Sequence, residues 1–376
     1  MHRTLMVGLV AISLAGTAFA QGQPRARDLG ATFEGETGPL NAITDVPGVL
    51  VGQTTVISGV GKHAVRTGVT AIIPRKELGY YPAAVFTLNG DAEMSGAIFA
   101  EEFGMLRSPI MLTGTASNGT VFTSVIRWSL KAHAENPVYM PVVADTWDAE
   151  MSDAFSFPLT DAHVRASLTD AKSGPVAEGA VGGGTGMVCF YFKGGIGTAS
   201  RRVTVGAKQY TLGVLVQCNT GKREDLMVSG RAIGKAIPEL PPNFAKVETG
   251  PEADGSIIIV IGTDAPLLPG TLKALGKRAA LGLARTGGMA SPGSGDIMIA
   301  FSTAKIDVDS VTGEVRGKAP VFQYNANPLF RATVQATEEA IINALVAGRT
   351  MTGLNGATVH GLPQDRLREL LASPRR

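Results

Sequence analysis

The chain has 376 residues, 44% of them hydrophobic and 18% charged, which suits a large core in one big or two ordinary domains and excludes a disordered chain. With 34 Lys and Arg against 32 Asp and Glu, the charge is too balanced to point to nucleic acid or an anionic membrane, so the expected partner is a small molecule. The 47 Gly and 21 Pro lie between apolar runs without a repeat, which predicts many tight turns in a sheet-rich protein.

In chain order, a short basic start at Arg3, an apolar stretch Leu5–Leu14 and Ala18-Phe19-Ala20 form a secretory signal ending at Ala20, and so predict a periplasmic or secreted protein. The apolar centre is shorter than the ~20 residues a membrane span needs. Strands are expected at Gly68–Ile73, Ala83–Leu88 and Pro109–Leu112. Next comes a helix capped by Asn118, with Val121, Phe122, Val125, Ile126 and Leu130 on its buried side. Gly186–Phe192 and Tyr210–Cys218 read as further strands, and Arg231–Gly255, rich in Pro and Gly, as a long exposed linker. Without a spacer the strand Ser256–Ile261 follows, then a helix over Leu272, Leu275, Ala279 and Leu283, the strand Asp296–Phe301 and a helix over Phe330, Val334, Ile341 and Leu345. Most strands are apolar on consecutive positions, so both faces of the sheets are covered and the class is layered α/β.

Cys189 and Cys218 each sit in an apolar run and read as buried core thiols, although an oxidising compartment leaves a bridge open. The histidines His2, His63, His133, His163 and His360 are scattered without an HExxH pattern, so neither a metal nor an organic cofactor is expected.

The abrupt junction at Gly255-Ser256 carries the chemistry. A serine hydroxyl needs a base, yet no GxSxG elbow or nearby histidine surrounds Ser256. If the Gly255–Ser256 bond is cut, the new α-amine has a reference pKa of about 7.7–8 and serves as that base. Glycine before the serine allows the unusual dihedrals that an N-to-O acyl shift requires. Taken alone, a Gly-Ser pair at a loop-to-strand boundary is commonplace.

Ordered blocks give it context: Gly38–Gly48, Leu88-Asn-Gly90, Gly184–Met187, Phe192–Thr198, Val214–Asn219, Gly255–Val260 with Thr263–Pro269, and Gly293–Ile297 with Ala300–Thr303. Together they resemble the DmpA-type aminopeptidases, which comprise β-aminopeptidases and L-aminopeptidase/D-esterases, over nearly the whole chain beyond the leader. The resemblance implies a four-layer α/β/β/α sandwich of the N-terminal-nucleophile type. It also implies self-cleavage into an α chain, Gln21–Gly255, and a β chain, Ser256–Arg376, which form one folded unit and assemble as a tetramer of such heterodimers. Ser256 matches the family nucleophile and Asn219 its oxyanion amide, although alone Asn219 reads as an ordinary turn residue. Ser294 and Asp296 match a Ser-x-acid pair that holds the Ser256 amine and hydroxyl. Asp145 falls where the family carries a glutamate for the substrate ammonium, and Trp147 where it carries an aromatic, often tyrosine. Two alternatives stay open: an endo-amidase of the nylon-oligomer type, whose members carry threonine at the new N-terminus, and a non-catalytic periplasmic binding protein for a small ligand.

Overall fold

A computed structural model describes residues 23–244, 255–308, 315–317, 320–321 and 323–374. The signal segment Met1–Ala20, and residues 245–254 of the expected linker, lie outside them. The strands that build the two main sheets are β1 (Leu50–Ser58), β2 (Val65–Ile73), β3 (Tyr81–Gly90), β4 (Met105–Leu106), β5 (Ile110–Gly114) and β6 (Val142–Thr146). After a short hairpin, β7 (Val188–Cys189) and β8 (Phe192–Lys193), come the long β9 (Gly195–Val205) and β10 (Lys208–Thr220). A second short pair, β11 (Met227–Val228) and β12 (Arg231–Ala232), precedes β13 (Gly255–Thr263) and β14 (Gly295–Ser302).

One sheet has the order β1-β2-β5-β6 and the other β4-β3-β14-β13-β10-β9. The two stack face to face: Ile72, Ile110, Leu112 and Ala144 of the first pack with Leu215, Ile258, Val260, Ile297 and Ile299 of the second. On the far side of the first sheet lie α2 (Asn118–Ala132) and α3 (Asp161–Thr169), whose Val121, Val125, Val164 and Leu168 cover Val69, Ala71 and Met111. On the far side of the second lie α4 (Pro269–Arg285) and α5 (Asn327–Ala347), placing Leu272, Leu275, Ala279, Leu283, Ile341 and Leu345 over Ile257, Ile259 and Ile261. Proline opens the first turn of both α4 and α5, where its missing N–H costs nothing. β13 shows why the apolar runs are continuous: its even positions feed the inter-sheet core and its odd positions the helix layer. The expected four-layer sandwich is thus the architecture found.

Local departures have identifiable causes. Gly186–Phe192 is not one strand, because Phe190 and Tyr191 adopt φ of 49° and 55° and fold the segment into the β7–β8 hairpin. Asn118 does not cap α2; Ser117 precedes the helix, and the Asn118 amide is drawn to Asp145 instead. Leu130 is 52% exposed rather than buried. The first part of the expected linker is docked, with Ile233 and Ile237 buried and Asn243 bridged to Thr358. Cys189 and Cys218 are joined in a disulfide rather than left as thiols, their Cα atoms 5.5 Å apart. The apolar surroundings that suggested core thiols are real; what the local sequence lacks is that the hairpin brings Cys189 back beside the end of β10.

α5 carries a buried acid, Glu339, that ties it to β9 and to the segment before β1. Glu339, with its side chain 1% exposed, accepts hydrogen bonds from Arg27 Nε (2.6 Å), Arg201 Nη2 (2.6 Å) and Asn41 Nδ2 (2.7 Å). Burial by itself raises the Glu339 pKa, but the Arg27 hydrogen bonds and the charges of Arg201 and Arg27 prevail and hold it below the ordinary 4.5. A depressed carboxyl supplies stability above its unfolded-chain pKa and loses it as pH falls through the folded value. Glu339→Gln should therefore lower the unfolding free energy at neutral pH by about 3–5 kcal/mol, because it strands a buried guanidinium. Urea titrations should show this difference shrinking below pH 4.5.

Candidate active site

Four adjacent strands of the six-stranded sheet end at one edge, and their register assembles the site. β10 runs antiparallel to β13 with Asn219 opposite Ser256 and Thr220 opposite Gly255. β14 runs parallel to β13 with Gly295 beside Ser256, and β3 places Gly90 and Asn89 beside Gly295 and Asp296. All four sequence-predicted catalytic residues, Ser256, Asn219, Ser294 and Asp296, are buried within this cluster.

By strand alternation Ser256 and Asn219 point into the layer between the sheets, on the faces of Ile258 and Leu215. Ser256 Oγ accepts from the Gly295 N–H at 3.1 Å. Asn219 is fixed at both ends of its amide: Oδ1 accepts from Val188 N–H at 2.6 Å, and Nδ2 donates to the Trp147 carbonyl at 3.0 Å. An Asn amide nitrogen has two N–H groups, so one is left for a ligand oxygen. Below it, Gln217 Nε2 donates to Thr113 O and Thr146 Oγ1, both at 2.9 Å, tying β10 to the opposite sheet.

Ser294 Oγ donates to Asp296 Oδ1 at 2.9 Å, and Asn89 Nδ2 reaches Asp296 Oδ2 at 3.3 Å. The register slips by one between β3 and β14 there, leaving Leu88 as the extra residue and turning Asn89 onto the face of Asp296. The same Asn89 nitrogen donates to Ala290 O (2.6 Å) and Ser291 O (2.9 Å), which anchors the loop that leads into Ser294. Burial raises the Asp296 pKa, opposed by hydrogen bonds from Ser294, Asn89 and the Ile257 backbone. The Ser-x-Asp pair therefore meets the backbone next to Ser256, at Ile257, while the Ser256 hydroxyl is met by Gly295.

Gly255 has φ 82°, and a Cβ there would lie 2.1 Å from Asn219 O, so only glycine fits this approach. Asp145 is the penultimate residue of β6 and is buried near the start of α2. Its carboxylate accepts from Thr115 Oγ1 (2.5 Å), from the Asn118 amide and from Glu93 N–H (3.2 Å). Burial raises its pKa, these three donors oppose the shift, and the Glu93 charge adds to it. Trp147 is half-buried, with its ring 5.9 Å from that of exposed Phe155.

A family model described as peptidase family S58 matches residues 41–359. The chain belongs to this family. It is similar to a β-peptidyl aminopeptidase of Sphingosinicella microcystinivorans, 46% identical, with 100% of this chain and 99% of the relative aligned. Among solved structures it resembles a Burkholderia β-aminopeptidase, with TM-score 0.84, 41% identity, and 93% of this chain and 98% of that one covered. It also resembles the L-aminopeptidase D-Ala-esterase/amidase of Ochrobactrum anthropi, described as a serine-aminopeptidase prototype with a variant Ntn-hydrolase fold, with TM-score 0.85, 39% identity, and coverage of 93% and 98%.

Membership of peptidase family S58 makes the chain a hydrolytic aminopeptidase of the Ntn-hydrolase fold and sets aside the non-catalytic binding protein. The sequence alone tied the Asn89–Glu93 block to the substrate entrance no better than to a solvated turn, and gave no sign that Asn89 meets Asp296 or that Thr115 and Asn118 meet Asp145. Asn89 lay in a Leu-Asn-Gly block that already carried the resemblance, but its partners Ala290 and Asp296 are about two hundred residues away. The Asn89 amide supports the ionised form of Asp296, so Asn89→Ala should move the acid limb of the pH–rate profile to higher pH. The accompanying loss in kcat should be about tenfold. A profile superimposable on wild type would show that Asp296 does not govern that limb.

Proposed function

We propose that this S58 peptidase matures by cutting itself before Ser256. It then removes N-terminal residues, β-residues among them, from small peptides, amides and esters through an acyl-enzyme on Ser256. The observation that carries the reading is the register that sets the Asn219 amide opposite Ser256 at the start of β13.

The positive φ of Gly255 and its close approach to Asn219 O support attack of the Ser256 hydroxyl on the Gly255 carbonyl. The acyl group moves from nitrogen to oxygen, and water then hydrolyses the ester, releasing the Gly255 carboxylate and the Ser256 amine. In turnover that amine takes the hydroxyl proton as the oxygen attacks the scissile carbonyl. The free Asn219 N–H stabilises the tetrahedral oxyanion, the departing amine receives the proton, and water frees the acid. Ser294 and Asp296 are the proposed partners of the new Ser256 amine, a reading supported by the Asp296 hydrogen bond to the Ile257 backbone.

Asp145 is the proposed acceptor for the substrate's own ammonium. An ionised carboxylate offers about four lone-pair sites, and three are filled, by Thr115, Asn118 and Glu93. A carboxylate desolvated to this degree gains most from a cationic partner. Trp147, two residues on, packs edge-to-face with Phe155 and is the proposed aromatic contact for the substrate. The signal segment and the disulfide both favour a periplasmic or secreted location. Exposed Ile98 and Phe103 on α1 (Ala97–Phe103) suit a face covered by another copy in a tetramer of heterodimers.

Intact mass of the denatured enzyme should give two chains, one beginning at Ser256, with Ser256→Ala left whole and Gly255→Ala cut much more slowly. Asn219→Ala should lower kcat on an aminoacyl anilide by about 10²–10³. Blocking the substrate's N-terminus should abolish turnover, whereas brisk hydrolysis of end-blocked oligoamides would favour the endo-amidase reading.

A further inference from the structure

One fully buried cation has no part in the chemistry described so far. Lys193, at the end of β8, is 0% exposed, and no carboxylate pairs with it among the described residues. Its Nζ donates to Met187 O at 2.5 Å and Gly194 O at 3.1 Å, with Gly184 O at 3.5 Å. Burial pushes its pKa down to about 7, and backbone carbonyl dipoles stand in for a counter-ion.

The carbonyl it holds most closely belongs to the peptide group between Met187 and Val188. The N–H of that same peptide group donates to Asn219 Oδ1 at 2.6 Å. A peptide is planar and conjugated, so fixing its oxygen fixes the direction of its N–H, and a cation on the oxygen makes the N–H a stronger donor. The hairpin is bolted to the end of β10 around this peptide. Cys189 is bonded to Cys218, Phe190 N–H donates to Thr220 O at 2.7 Å, and the positive φ of Phe190 and Tyr191 is thereby held.

We propose that Lys193 is a positioning residue for catalysis, acting through the Met187–Val188 peptide to orient and polarise the Asn219 amide that meets the oxyanion. The inference rests on Asn219 having the role assigned above. Polarisation passes from the ammonium to the peptide, from the peptide N–H to Asn219 Oδ1, and so to the Nδ2 hydrogen aimed at the developing charge.

The test is a double-mutant cycle of Lys193→Met with Asn219→Ala, read as kcat and KM on a β-alanyl p-nitroanilide. Rates are normalised to the processed fraction, or taken from self-cleavage where processing is incomplete. Lys193→Met alone should lower kcat about 10- to 100-fold with KM little changed, and Lys193→Arg should restore part of it. In the Asn219→Ala background Lys193→Met should have no further effect. Equal losses in both backgrounds would reduce Lys193 to a structural role and overturn the proposal. Full activity in Asn219→Ala would instead remove the oxyanion reading itself. A dead Asn219→Ala beside a fully active Lys193→Met would overturn the Lys193 role alone. If Lys193→Met fails to fold, the wild-type enzyme decides by NMR: the Val188 amide proton should lie downfield of the other hairpin amides, and an ordinary position overturns the proposal.

Discussion

β13 is hydrogen-bonded along both edges, antiparallel to β10 and parallel to β14, and covered on both faces. That double pairing holds the molecule's chemistry in place. A slip of one residue against β10 would move Ser256 away from Asn219 and exchange the inter-sheet and helix-facing sets of isoleucines. The pairing of β13 along both edges thus fixes the position of a serine that contributes almost nothing to the core itself. Stability and site geometry share one cause here, since the burial that drives sheet stacking also sets the register.

Around this fixed line the polar groups are engaged in layers. Gln217 and Asn219 project from β10 into the inter-sheet space and bond to Thr113 and Thr146 of the opposing sheet and to Trp147 just beyond it. Ser294, Asp296 and Asn89 form a second cluster on the other face, aligned by the bulge at Leu88. The site is therefore built from both sheets and both faces of one of them. Each buried group is oriented by partners far away in the chain, which is the supporting shell a preorganised site requires. In the role proposed for it, Lys193 extends that logic outward by polarising a peptide rather than a side chain.

The buried ionic groups divide by function. Glu339, surrounded by Arg27, Arg201 and Asn41, joins α5 to β9 and to the described N-terminal segment. Asp145 and Asp296 are carboxylates solvated mainly by neutral donors. Burial raises the pKa of both, and the proposed function assigns each a cationic amine as partner.

The sequence by itself determined the layered class, the central strands and the helices α4 and α5. Runs of consecutive apolar residues, or apolar residues at helical spacing, are properties of neighbours in the chain. It also marked the boundary where a Pro- and Gly-rich stretch meets the apolar strand at Ser256 without a spacer, although a Gly-Ser pair there is commonplace by itself. It did not determine the hairpin at Phe190-Tyr191 or the disulfide. Nor did it show that Asn118 serves Asp145 instead of capping α2, that Val188 meets Asn219 or that Asn89 meets Asp296. Those depend on residues separated by 27 to 207 positions meeting in space. Only the register of a sheet closed on both sides brings them within hydrogen-bond reach, because local preference acts over a few residues and register is set by burial of the whole strand.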